Sequence, residues 1–214
     1  MANIFFFGDS IPFGAWDDKG GWVERVKNDI HKKIISSNFS YYHHTYQLGV
    51  PGDNTTTLLK RFEQEIKPRL LGEVAKNAAI ILAIGINDSQ TYKDTAKGNS
   101  VQYDDFQNNL AQILRIAQKY ASTIIFVGLT PVDESKIDFI PWIPDNTYRN
   151  TIIAKYNDGL KKFCKTHDLP FIDLFDEWFR SDYKKQLIDG LHPDSDGHEK
   201  IYHKVKQALE ENKI

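Results

Sequence analysis

The sequence predicts an α/β protein built on a five-stranded parallel sheet, and three observations predict it. Five short apolar runs recur along the chain, longer amphipathic stretches separate them, and polar, glycine-rich segments follow the runs. Strands alternating with helices form βαβ units, which associate into a parallel sheet covered on both faces.

The predicted strands are Ile4 to Phe7, Tyr42 to Leu48, Ala78 to Ile84, Thr123 to Leu129 and Pro170 to Leu174. The second, in "YYHHTYQLG", is the least strand-like because it carries two histidines. After the first run, "GWVERVKNDIHKKIISS" repeats Trp22, Val26, Ile30 and Ile34 every four residues, which places them on one helical face. Similar patterns predict helices over roughly Thr55 to Leu71, Tyr103 to Tyr120, Tyr148 to His167 and Gly197 to Glu211. No repeat, low-complexity tract or linker divides the pattern. With 214 residues, 41% of them hydrophobic, it predicts one domain over residues 1–214.

Charge narrows the partners. Lys and Arg number 27 against 29 Asp and Glu, and the two signs are interspersed, so the chain lacks the basic stripe of a nucleic-acid binder. No apolar run approaches bilayer length, and the N-terminal residues lack the pattern of a secretory signal. A cytoplasmic protein without stable membrane insertion is expected. A single cysteine, Cys164, excludes an internal disulfide.

In open α/β sheets ligands bind beyond the carboxyl ends of the strands, so the segments that follow the strands come next. The first strand leads into "GDSIPFG", the second into "GVPGDN", the third into "GINDS", and the fifth segment leads on to "DGLHP". Each alone is what an ordinary turn contains: Gly, Asp, Asn, Ser and Pro all favour turns, and Asn and Ser also cap helices. Together, and in this order, they resemble the four blocks of the SGNH or GDSL hydrolases, serine esterases and lipases on a flavodoxin-like α/β/α fold. The resemblance runs from Phe7 to Pro193. It departs at Gln47, where many members carry asparagine, and at Ile11, where leucine commonly follows the serine.

The resemblance implies a three-layer α/β/α sandwich, no cofactor, and hydrolysis of small-molecule carboxylic esters. It also implies a catalytic triad of Ser10, His192 and Asp189. The chemistry suits those residue types: a serine hydroxyl needs an adjacent base, and the imidazole needs a carboxylate to fix its tautomer. For the oxyanion it implies the amides of Ser10 and Gly52 and the side-chain amide of Asn87, fixed donors that need little reorganisation. The substrate classes implied are short-chain lipid esters, acetylated sugars and thioesters, with short acyl groups preferred.

Apolar walls are expected from Phe13 and Trp16, which follow the serine closely, and from Trp142. The last lies in "VDESKIDFIPWIPDNTY", a connection long enough to form a wall or lid. One alternative chemistry shares the rim. Asp9, Asp53, Asp88 and Asp189 lie near strand ends and could gather Mg²⁺ or Mn²⁺ for phosphoester hydrolysis. A serine with a base and an orienter, and no well-placed extra histidines, favours the esterase. Zinc is disfavoured because His43 and His44, and likewise His198 and His203, do not converge on one face. Cys164 and His167 read as a buried thiol beside a surface histidine.

Overall fold

The computed structural model describes residues 2–70, 78–141 and 143–214. In chain order the main elements are β1 (Ala2–Gly8), α1 (Ser10–Phe13), α2 (Gly21–Ser36), β2 (His43–Gly49), α3 (Thr55–Ile66), β3 (Ala78–Ala83) and β4 (Thr91–Tyr92). They continue with α4 (Tyr103–Ala117), β5 (Thr123–Val127), β6 (Asn146–Thr147), α5 (Asn150–Thr166), β7 (Phe171–Ile172), α6 (Phe175–Phe179) and α7 (Ser195–Glu211).

Five strands form a parallel sheet in the order β2-β1-β3-β5-β7. β1 is buried along its whole length, which is why its sequence is a nearly unbroken apolar run. Its side chains alternate between the two helical layers: Phe6 meets Trp22 of α2 edge-on at 5.7 Å between centroids, and Phe7 packs on Phe62 of α3 at 4.6 Å. The crossovers put α2 on one face, where it packs on α7, and α3, α4 and α5 on the other, as the right-handed rule for parallel strands requires. Trp22, Val26, Ile30 and Ile34 all face the core as their spacing predicts.

The chain turns outward from β1 to β2 and then returns past β1 to β3, so the order reverses between β1 and β3. That crevice, at the carboxyl ends of the strands, is where this topology leaves room for a ligand. Among the described residues no helix is long and apolar enough to cross a membrane.

Two differences from the sequence reading bear on the site. The fifth helix starts at Asn150 and not at Tyr148, because Arg149 is extended and the Tyr148 side chain turns inward to a buried partner. A two-stranded antiparallel sheet, β4 with β6, joins the connections that follow β3 and β5. Two-residue strands are too short to leave a periodicity.

Candidate active site

The serine is positioned by its neighbours. A Cβ on Gly8 would lie 2.0 Å from the Ala83 carbonyl oxygen, so only glycine lets β1 end this close to β3. Asp9 then caps α1, its carboxylate accepting from the Ile11 amide at 2.9 Å. Ser10 is therefore the first helical residue, and its own amide is one of the first-turn donors that no intrahelical carbonyl reaches.

His192 arrives from 182 residues away on the segment before α7. Its Nε2 lies 2.9 Å from Ser10 Oγ, and its Nδ1 lies 2.6 Å from Asp189 Oδ2. The other carboxylate oxygen, Oδ1, accepts from the amides of Leu191 at 2.9 Å and His192 at 2.8 Å. "DGLHP" is thus both a turn and an orienting device: the turn that the Asp-Gly pair favours is what fixes the carboxylate under the imidazole. Burial opposes ionisation of Asp189, but the hydrogen bonds from His192 and the two amides outweigh it and hold the carboxyl well below the usual range. An ionised Asp189 must receive the Nδ1 proton, which leaves the Nε2 lone pair facing the Ser10 hydroxyl.

Trp16 adds a contact that the sequence did not suggest. Its indole nitrogen lies 3.0 Å from Asp189 Oδ2 and 2.9 Å from His192 Nδ1. Because Nδ1 carries its own proton in this arrangement, the carboxylate is the acceptor. The ring stands edge-on to the imidazole at 5.6 Å. Trp16 does this with a backbone φ of 68°, a left-handed conformation that costs a bulky residue on the order of 1–3 kcal/mol. Arg25 secures the loop: it pairs with Asp17, and it reaches Ser195 Oγ at 2.8 Å and Glu199 at 2.8 Å on α7. Although burial opposes it, the hydrogen bond from Arg25, with those from Lys19 and Gly21, draws the Asp17 carboxyl down to about 2.

Across the crevice, Gly52 and Asn87 line the same cavity as Ser10, a space of about 390 Å³ that Phe13 and Trp16 also border. Gly52 adopts φ 84°, which glycine tolerates without strain. Asn87 donates from Nδ2 to the Asp53 carbonyl at 2.8 Å, and its Oδ1 accepts from the Tyr148 hydroxyl at 2.7 Å. Tyr148 in turn accepts from Gln90 Nε2 at 3.0 Å, and Gln90 Oε1 accepts from Asn146 Nδ2 at 2.6 Å. Sequence reasoning singled out the long connection that carries Tyr148, but for its Trp142, which lies outside the described residues. No motif marks Tyr148; the one available signal is its place in the polar "NTY" that closes the connection.

The four carboxylates of the alternative reading each have a protein partner. Asp9 holds the Ile11 amide, Asp53 pairs with Arg61 at 2.6 Å, Asp88 takes the Thr55 amide and hydroxyl, and Asp189 takes His192. Among the described residues no three histidine, cysteine or acidic side chains converge as a ligand set. Burial pushes Asp9 up to about 7, with the charges of Asp88 and Asp53 adding to it and the Ile11 amide opposing, and burial pushes Asp88 up to about 6. Gln47, the departure in the second block, donates to the Phe13 carbonyl at 2.7 Å and so tethers β2 to α1. Cys164 is buried, which pushes its thiol up to about 12, and His167 is exposed beside it.

Residues 6–200 match the GDSL-like Lipase/Acylhydrolase family. The isoamyl acetate-hydrolyzing esterase of Saccharomyces cerevisiae is 23% identical over 212 residues, covering 94% of this chain and 82% of the yeast protein. Among solved structures, the lipase/acylhydrolase from Enterococcus faecalis superposes with a TM-score of 0.73 at 22% identity, covering 99% of this chain and 97% of that one. An acetylxylan esterase from Geobacillus stearothermophilus gives 0.71 at 16% identity, covering 96% of this chain and 93% of its own. With the motif blocks, the topology and the family match in agreement, the chain belongs to the GDSL-like lipase/acylhydrolase family and is a carboxylic ester hydrolase.

Proposed function

We propose that this hydrolase works through an acyl-enzyme on Ser10 and that its preferred substrates are short acyl esters of apolar alcohols. The observation that carries the mechanism is the hydrogen-bond line from Ser10 Oγ through both nitrogens of His192 to Asp189, opening into the cavity. Ser10 Oγ attacks the ester carbonyl carbon while its proton passes to Nε2. The Ser10 and Gly52 amides and the free N–H of Asn87 receive the oxyanion. Collapse breaks the bond to the alcohol, which leaves with the proton from Nε2. Water then attacks the acyl-enzyme with His192 as base, and the acid departs as Ser10 regains its proton.

The substrate preference rests on the cavity wall. Phe13, Trp16, Ile143 and Leu191 offer apolar surface, whereas Gln90 is held by Tyr148 and Asn146 and has little left for a sugar hydroxyl. In this respect the site suits the kind of ester named for the yeast relative better than the polymer named for the Geobacillus enzyme. One hydrophobic core that spans both helical layers supports the reading of residues 1–214 as a single working unit.

The test is hydrolysis of p-nitrophenyl acetate and butyrate, isoamyl acetate and an acetylated xylo-oligosaccharide by the wild type and Ser10→Ala, with and without EDTA. Turnover that ignores EDTA, disappears in Ser10→Ala and favours isoamyl acetate by kcat/KM agrees with the proposal. Turnover lost to EDTA, or retained by Ser10→Ala, overturns the mechanism; a preference for the sugar ester overturns only the substrate class.

A further inference from the structure

We infer that Tyr148 is a positioning residue that fixes the orientation of the Asn87 amide, so that the amide presents one N–H to the oxyanion. The inference rests on the reading of Asn87 as an oxyanion donor and adds what makes it one. A side-chain amide is nearly symmetric in shape, so an asparagine can present oxygen as readily as nitrogen; an oxygen facing the developing charge would repel it.

The direction of the amide is read from its nitrogen end, and both ends hold it there. The Asp53 carbonyl can only accept, so the Asn87 atom 2.8 Å away from it is the nitrogen. The remaining atom is then the oxygen, and it needs a donor. The Tyr148 hydroxyl supplies one at 2.7 Å. Having given its proton to Asn87, that hydroxyl can only accept from Gln90 Nε2, and Gln90 Oε1 accepts from Asn146 Nδ2. Every link has one permitted direction. Both polar atoms of the Asn87 amide are engaged, and a single N–H is left over at the cavity wall.

The fold builds this relay by register. β4 and β6 pair antiparallel, with Thr91 opposite Thr147 and Tyr92 opposite Asn146. One step further along the same ladder puts Gln90 opposite Tyr148, and a diagonal step puts Asn146 beside Gln90. Lys93 reinforces the join, its amide donating to the Asp145 carbonyl at 2.8 Å and its Nζ to the Pro144 carbonyl at 2.6 Å. The two-stranded sheet thus has a function that its length hides: it brings the connection after β5 against the connection after β3 at the height of Asn87. Tyr148 is 1% exposed, so no water replaces its hydroxyl cheaply.

The experiment is a double-mutant cycle on p-nitrophenyl butyrate with Asn87→Ala, Tyr148→Phe and the pair, each checked by thermal melting. Asn87→Ala is expected to lower kcat about 10²- to 10³-fold. Tyr148→Phe is expected to lower kcat roughly 10- to 100-fold with KM changed less than about twofold, and to add no further loss in the Asn87→Ala background. Equal losses from Tyr148→Phe in both backgrounds, or an unchanged kcat, overturn the inference. Should Tyr148→Phe fail to fold, Gln90→Met takes its place in the cycle. It removes the donor that makes the tyrosine hydroxyl point at Asn87, and a kcat loss that persists without Asn87 overturns the inference equally. If Asn87→Ala itself retains the wild-type kcat, the oxyanion reading fails and this inference falls with it, an outcome distinct from failure of Tyr148 alone.

Discussion

The two walls of the crevice achieve rigidity by different means. On the α7 side, charge holds the geometry: Asp189 draws in three donors from its own turn and a fourth from Trp16, and Arg25 ties the Trp16 loop to α7 through Asp17, Ser195 and Glu199. On the α4–α5 side, a chain of uncharged amides and one phenol holds Asn87. In the proposed mechanism the moving proton belongs to the first wall, where an ionised carboxylate can stabilise an imidazolium as it forms. In the same proposal the second wall has to meet a negative charge, and neutral dipoles fixed in advance suit that task. If the proposal holds, the lesson is that each wall carries the polarity its half of the reaction requires.

The strongest way to break the charged wall is Asp189→Asn. It keeps the shape but offers an amide where the Nδ1 proton needs an anion, so kcat is expected to fall about 10⁴-fold with the far-UV spectrum and melting profile retained. A turnover within tenfold of wild type would remove Asp189 from the orienting role.

Next in size is Arg25→Met. It leaves the Asp17 carboxylate with backbone amides alone, and because the Arg25 side chain is only 10% exposed the expected loss is about 3 kcal/mol in urea unfolding at neutral pH. The sign of its pH dependence follows from Asp17. A carboxyl drawn down to about 2 in the folded protein stabilises it above the unfolded value near 4 and loses that contribution as pH falls toward 2. The difference between wild type and Arg25→Met should therefore shrink in acid.

A smaller effect is expected from Trp16→Phe, which keeps an apolar wall but deletes the indole donor to Asp189. Loss of one of four hydrogen bonds to the carboxylate should lower kcat about three- to tenfold. If kcat is unchanged and only KM rises, Trp16 is wall and nothing more.

A pH-dependent effect on stability concerns Asp9, beneath the serine. Its carboxyl is pushed up to about 7, so the folded protein holds a proton there that the unfolded chain releases near pH 4. Between those values stability falls as pH rises, with a slope of up to about 1.4 kcal/mol per pH unit from this group. Asp9→Asn keeps a cap oxygen for the Ile11 amide and removes that slope, so it should gain on wild type from pH 5 to pH 8 in thermal melts. Parallel curves for the two proteins would contradict the assignment.

How much of this was legible in the sequence follows from where each contact is encoded. The strands showed because β1 and β3 are buried on both faces and so read as apolar runs, and α2 showed because Trp22 to Ile34 repeat with the helical period. Ser10, Gly52, Asn87, Asp189 and His192 were legible as candidates because each sits in a short block whose turn chemistry is local. Tyr148, Gln90 and Arg25 did not show. Their partners lie 61, 58 and 170 residues away, joined by a two-strand ladder and a helix contact that leave no periodic trace. Trp16 was visible as an aromatic beside the serine, but its hydrogen bond spans 173 residues and depends on a left-handed backbone that a tryptophan rarely adopts.

The central claim is that Ser10 is the nucleophile of an acyl-enzyme, and covalent trapping tests it most directly. The protein is treated with a fluorophosphonate, digested, and the modified peptide identified by mass spectrometry, with Asp189→Asn and Ser10→Ala in parallel. A single adduct on the peptide that carries "FFFGDSIPFG", slower to form in Asp189→Asn and absent in Ser10→Ala, is the predicted result. An active wild-type enzyme that takes no adduct, or one that is labelled elsewhere while Ser10 stays free, would contradict it.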